Sequence, residues 1–157
     1  MSGQKPSAAL TQSLARRLAA PVDEAARARA ARHVLDWAGC AVSGLASEAG
    51  RAAADAFAGD GSGPCASAAG TGRLDALSAA LVNGSLGNVL EMDDVDKRAI
   101  LHPAPSVIPA ALAAAEQAGA DANALLDAVV RGYEAVIRLG RAVGPGHYAF
   151  WHNTGTC

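Results

Sequence analysis

Asp121-Ala-Asn-Ala-Leu-Leu-Asp-Ala-Val-Val-Arg-Gly-Tyr-Glu-Ala-Val-Ile-Arg-Leu-Gly-Arg-Ala-Val143 is the stretch whose pattern decides the fold class. Leu125, Leu126, Val129, Tyr133, Val136 and Leu139 recur every three to four residues, the period of one face of an α-helix. Asp121 stands at the N-cap position and Gly144-Pro145-Gly146 ends the pattern, so a helix is predicted from about Ala122 to Val143. Glu134 lies four residues before Arg138, a pair that supports a helix by roughly a few tenths of a kcal/mol.

Working outward, the same period recurs. Ser106 is read as the cap of a nearly all-apolar helix, Val107 to Ala118, with Pro109 in its first turn and Gly119 as its stop. Asp75 caps a helix from Ala76 to about Leu90; Leu77, Leu81 and Leu86 keep the period through Asn83-Gly84, whose small residues could open space beside a pocket. Asp23 caps a helix to about Ser43, with Ala26, Ala30, Val34, Trp37 and Ala41 inward and Arg27, Arg29 and Arg32 on the other side. Gly39 and Gly44 in it suggest close contact with a neighbour. Ser47 opens a shorter helix to about Ala58, broken by the glycines of 59–64. Cys65 to Ala69 is read as extended, and Gly70-Thr71-Gly72 as a turn leading into a helix; its spacing matches neither a P-loop nor a dinucleotide fingerprint. Leu10, Leu14 and Leu18 mark a first helix opened by Ser7 or Thr11 and ended by Pro21, after a polar leader over 1–6. No internal repeat and no strand alternation occurs. The expectation is all-α, one helical domain over 7–157 with antiparallel neighbours.

The chain has 157 residues, 51% hydrophobic but only 4% aromatic, so alanine and other small side chains must do much of the packing. The net charge of −2 offers no basic stripe for nucleic acid. No run of about 18 apolar residues predicts a membrane span. The N-terminus lacks a signal-peptide core; its alanines and arginines faintly mimic a transit peptide, but the apolar pattern runs on past Asp23 and Glu24 as an ordinary helix. Cys40, Cys65 and Cys157 are odd in number and widely spaced, which argues against a disulfide framework and fits a reducing, cytoplasmic setting.

Within this apolar chain, Glu91-Met-Asp-Asp-Val-Asp-Lys-Arg-Ala-Ile-Leu-His-Pro103 holds four carboxylates, two cations and a histidine in thirteen residues. It is either a solvated connection or half of an active site. With His147 and His152 of the tail, its carboxylates and His102 make a general acid–base set, and Lys97 and Arg98 are cations for an anionic substrate. The competing reading is a metal site, but the loop lacks the pattern of a calcium loop and no H-E-x-x-H occurs. Neither a metal nor a cofactor is expected. No G-x-S-x-G is present, and Cys157 is a lone suggestion of a nucleophile. His33 is read as a surface or packing histidine. Thr154 or Thr156 looks like the N-cap of a helix whose body is missing, which predicts a fragment, a truncated product or one part of a split protein.

Gly70-Thr71-Gly72, Ala80-Leu81-Val82-Asn83-Gly84, Asp93-Asp94 followed by His102-Pro103, Pro109-Ala110-Ala111-Leu112, Gly132-Tyr133-Glu134 and Trp151-His152-Asn153-Thr154 follow one another in this order. In series they resemble the N-terminal part of the MmgE/PrpD family of 2-methylcitrate dehydratase, cis-aconitate decarboxylase and iminodisuccinate epimerase. The resemblance implies a large helical domain, of which this chain supplies the first portion, with a smaller α/β domain, usually in a homodimer. It implies lyase-type chemistry, dehydration or decarboxylation, on a di- or tricarboxylic acid without a metal. His102, His152 and Asp93 would be catalytic; Glu91, Asp94 and Lys97 would bind substrate. An epimerase, or a non-catalytic helical subunit or remnant needing a partner chain, is the alternative. The family's later lysine and tyrosine are not in this chain, so a homo-oligomer or second chain would complete the site. Glu91, Val95, Asn88 and Ala104 stand where members often carry aspartate, threonine, histidine and glycine, and mark a divergent member.

Overall fold

The computed structural model describes residues 6–57, 61–70 and 72–157. Its helices run in the order α1 (Pro6–Leu18), α2 (Glu24–Leu45), α3 (Glu48–Ala56), α4 (Ala76–Asn88), α5 (Ala104–Ala118), α6 (Ala122–Val143) and α7 (Asn153–Thr156). A 3-10 turn, Pro145–Ala149, precedes α7. The mostly helical class expected from the pattern is what the chain adopts. One small sheet interrupts it: β1 (Cys65–Ala66) pairs antiparallel with β2 (Arg73–Leu74), Cys65 opposite Leu74.

Local chemistry sets most boundaries. The Asp23 carboxylate accepts from Ala26 N–H at 2.7 Å, the Ser47 hydroxyl from Gly50 N–H at 3.0 Å, and the Asp121 carboxylate from Ala124 N–H at 2.8 Å. Each satisfies a first-turn amide that has no partner within the helix. Asp75 does the same for Leu77 and Ser78, and the Ser78 side chain and amide hold its carboxyl below the usual range. Gly119 closes α5 in the left-handed conformation, φ 63°, that glycine adopts without a Cβ clash.

α4 lies at the centre, packed on α2 and α5; α6 packs on α5 and α2, and α3 fits against α2 and α4. Trp37, Ala41, Ala79, Val82, Leu86, Ile108, Ala113 and Val129 form the core. Burying each large aliphatic side chain contributes about 1.5–3 kcal/mol. The small residues let helices approach. Gly44 of α2 faces the Leu86 carbonyl of α4, and Gly87 of α4 lies flat against the Trp37 indole; a Cβ at either position would overlap its neighbour. Pro109 has no N–H to give the Pro105 carbonyl. That carbonyl instead faces Gly84 of α4, where a Cβ would stand 2.7 Å from it.

Several sequence expectations need correction. α5 begins at Ala104, not after Ser106, because its first amide is capped by Asp94 from the preceding loop, at 3.0 Å. Pro109 therefore lies inside the helix rather than in its first turn. Gly70 and Gly72 belong to a hairpin turn between two strands, not to a turn into a helix; Thr71 and Ala58 lie outside the described residues. Asn83 opens no pocket: its amide donates to Ala66 O at 3.0 Å and accepts from Ala68 N–H at 2.8 Å, docking the hairpin on α4. Gly39 contacts nothing within 4 Å of a Cβ position. Leu10 is 72% exposed, so α1's apolar face is only partly covered. Of the leader expected over 1–6, residues 1–5 lie outside the described residues and Pro6 starts α1. Among the described residues no helix is long and apolar enough to cross a membrane.

Gly44→Ala is expected to lower the unfolding free energy by about 1–3 kcal/mol through overpacking. Gly39→Ala, with open space around it, is expected to raise it by roughly 0.5–1 kcal/mol. Urea unfolding of both variants checks the pair; equal effects would refute the close α2–α4 contact.

Candidate active site

The loop between α4 and α5 is shaped by its own backbone. Glu91 (φ 50°) and Ile100 (φ 53°) are both left-handed without being glycine. Such residues persist only where surrounding bonds over-determine them. The Glu91 amide donates to Asn88 O at 2.7 Å, and around Ile100 Asp96 supplies those bonds. Its amide donates to Leu101 O at 3.0 Å, its carbonyl accepts from Ile100 N–H at 2.8 Å, and its carboxylate accepts from the amides of Arg98 and Ala99 at 3.0 and 2.9 Å. Burial alone would raise the Asp96 pKa; the Ala99 and Arg98 amides and the Arg98 guanidinium outweigh it and hold the group below the usual carboxylate value. The strained segment ends at Leu101, buried, and so delivers His102 from a fixed point.

Asp93 and Asp94, consecutive in the chain, each hold a different histidine. The Asp93 side chain is wholly buried. It accepts from Asn88 Nδ2–H at 3.1 Å through one oxygen and lies 2.9 Å from His102 Nδ1 through the other. A carboxylate only accepts, so a neutral His102 carries its proton on Nδ1 and leaves the Nε2 lone pair free. Asp94 Oδ1 caps α5. Its Oδ2 accepts from Tyr133 O–H at 2.8 Å and lies 2.7 Å from His33 Nδ1. Burial, then the charge and hydrogen bond of Asp94, push the Tyr133 phenol well above its ordinary value, so it stays a donor.

The tail is clamped onto this loop. Thr154 Oγ1 accepts from His102 N–H at 2.8 Å, and the fully buried Asn153 donates to Ala99 O at 2.7 Å. The ring centroids of His102 and His152 are consequently 5.7 Å apart. His152 itself is the N-cap of α7, where the pattern pointed to Thr154 or Thr156: its Nδ1 accepts from Thr154 N–H at 3.2 Å. A neutral His152 thus carries its proton on Nε2, the opposite tautomer to His102. His147 reaches Thr156 instead, with Nε2 and Oγ1 at 2.8 Å.

Of the residues expected from sequence, Asp93, His102 and His152 come together. Asp94 is adjacent but serves α5, Tyr133 and His33. Glu91 and Lys97 are exposed, and their side chains make no hydrogen bond or ion pair among the described residues. His33 and Tyr133 were missed as parts of this network. Both sit on helix faces whose period also fits packing, and no local pattern ties them to a residue 61 or 39 positions away. Among the described residues no three His, Cys, Asp or Glu side chains group as metal ligands.

Compared with known protein families, residues 9–157 match the MmgE/PrpD N-terminal domain. The chain belongs to the MmgE/PrpD family. Comparison with curated proteins gives no match. Asn88 donates to Asp93 and so helps fix the carboxylate behind His102.

The two tautomers are directly measurable. In ¹⁵N-resolved NMR of the neutral rings, His102 is expected as the Nδ1–H form and His152 as the Nε2–H form. Asp93→Asn should release His102 to the ordinary mixture while His152 stays unchanged; identical tautomers in both rings would refute the assignment.

Proposed function

We propose that this chain contributes the imidazole part of an acid–base site acting on a di- or tricarboxylic acid, in lyase-type chemistry. The observation that supports it most is the buried Asp93 carboxylate behind His102, with His152 in the complementary tautomer 5.7 Å away between ring centroids. Abstraction of a proton beside a carboxylate needs a positioned base, and His102 Nε2 offers its lone pair for that step. In a dehydration, the C–H electron pair becomes the new C=C bond as hydroxide leaves. The proton taken up by His102 Nε2 passes to it to give water, while the Nε2–H of His152 hydrogen-bonds the departing oxygen. In a decarboxylation the electron pair of the C–C bond released with carbon dioxide is protonated at carbon by a His102 that enters the step with Nε2 protonated and leaves it neutral. Glu91 and Lys97 line the substrate side in this reading; Asp94, whose oxygens are held by the Ala104 amide, Tyr133 and His33, stands beside it as a positioning group. Epimerisation begins with the same proton, so the imidazole pair serves it equally. The three free cysteines fit a cytoplasmic setting.

His102→Gln is expected to slow solvent deuterium exchange into the carbon-bound position of a turned-over carboxylate by about 10²–10⁴-fold, the usual contribution of a positioned base. Exchange at the parent rate in that variant would remove His102 from the mechanism.

A second reading, a helical subunit that needs a partner chain, is favoured by the surface beside His152. Phe150 is 87% exposed, Trp151 64% and Tyr148 48%, within four consecutive residues. Aromatic side chains of this size carry a disproportionate share of interface energy. Both readings have a homo-oligomer or second chain covering these rings and completing the site. Size-exclusion chromatography with light scattering should therefore show a species above 15.6 kDa, or aggregation that a partner chain relieves. A well-behaved monomer would argue against it.

A further inference from the structure

A cleft of about 400 Å³ opens between α2 and the loop at Asp94, lined by Arg29, Arg32, His33, Asp36 and Asp94. Every one of these five side chains is ionisable, and the cleft involves neither His102 nor His152. Four other helical arginines are paired, Arg17 and Arg138 with Glu134, Arg27 and Arg131 with Asp127, whereas Arg16 and Arg141, away from this cleft, have no such partner among the described residues. Arg29 and Arg32 have no hydrogen-bond or ion-pair partner among the described residues, although Asp36 lies one turn beyond Arg32 on the same helix. Asp94 does not compete for them. Its oxygens are taken by the Ala104 amide, the Tyr133 hydroxyl and His33.

We propose that this cleft is a second binding site, for a small molecule bearing a carboxylate or phosphate group. Arg29 and Arg32 are three residues apart on α2, so their guanidinium groups project from neighbouring turns of one face. Each presents a planar fork that suits the oxygens of either anion. His33 is already immobilised, bonded to Asp94 through Nδ1 and tilted at 47° against the Tyr133 ring, 5.0 Å away between centroids. Its other nitrogen therefore meets a ligand without losing further side-chain freedom. Asp36 and Asp94 are the opposing charges in the cleft; Asp94 is already held by its three donors, and Asp36 selects against anions that approach from the far end of Arg32.

The inference does not depend on the lyase reading, and its test needs no turnover. The full chain is titrated with inorganic phosphate and, separately, with succinate, by calorimetry and by His ring ¹⁵N shifts. Saturable binding is expected with at least one probe, with a shift at His33. It should weaken at least tenfold in Arg29→Gln/Arg32→Gln and persist in His102→Gln. Phosphate binding alone assigns a phosphate ligand, succinate binding alone a carboxylate one. Since both arginines are exposed and unpaired, the double variant should keep the parent circular dichroism; Arg32→Lys, which keeps charge but loses the fork, should bind at intermediate strength. No saturation with either probe, binding that survives the double arginine variant, or binding lost in His102→Gln would overturn the proposal.

Discussion

The structure depends on two adjacent carboxylates that cannot both be left unsatisfied. Asp93 and Asp94 sit where α2, α4, α5 and α6 converge, and an uncompensated buried carboxylate would be very costly. The chain meets that cost by giving each oxygen a donor. Asp93 takes Asn88 from the end of α4 and His102 from the loop; Asp94 takes the first amide of α5, Tyr133 from α6 and His33 from α2. Hydrogen bonds to a charged group are worth about 1.5–3 kcal/mol each, and removing the acceptor strands the donors. The carboxylates thus serve as a joint between helices and as the groups that orient two imidazoles, His102 and His33.

The helices reach that joint because so many of their contacting residues are small. Ala41, Gly44, Ala79, Gly84, Gly87 and Ala104 let α2, α4 and α5 pack with backbone against side chain. Larger residues there would push α4 outward and move Asn88 away from Asp93. The alanine-rich, aromatic-poor composition is therefore connected to the site through inter-helix distance.

Much of the helical frame was legible in the residue order. Asp23, Ser47, Asp75 and Asp121 announce their helices because capping is local, a side-chain oxygen meeting an amide two or three residues on. The α6 bounds follow directly. Where the cap comes from afar the pattern misleads: α5 starts at Ala104 because Asp94 reaches it from ten residues back, so Ser106 is a false signal. The hairpin of β1 and β2 is two residues per strand, too short for alternation to show; Gly70 and Gly72 mark its turn, and a buried Asn83 docks it on α4.

Residue identity by itself determined the helical class, the family, and the concentration of acid–base groups in 91–103, since period, caps and motif order are properties of the chain. The tertiary structure decided which carboxylate holds which histidine. Asp93 and Asp94 are equivalent as neighbours in sequence, but successive side chains of this loop leave the backbone in different directions. One is turned towards His102 and the tail, the other towards α2 and α6. That choice separates the His102–His152 pair from the His33 cleft, and it rests on helix positions that no local stretch specifies.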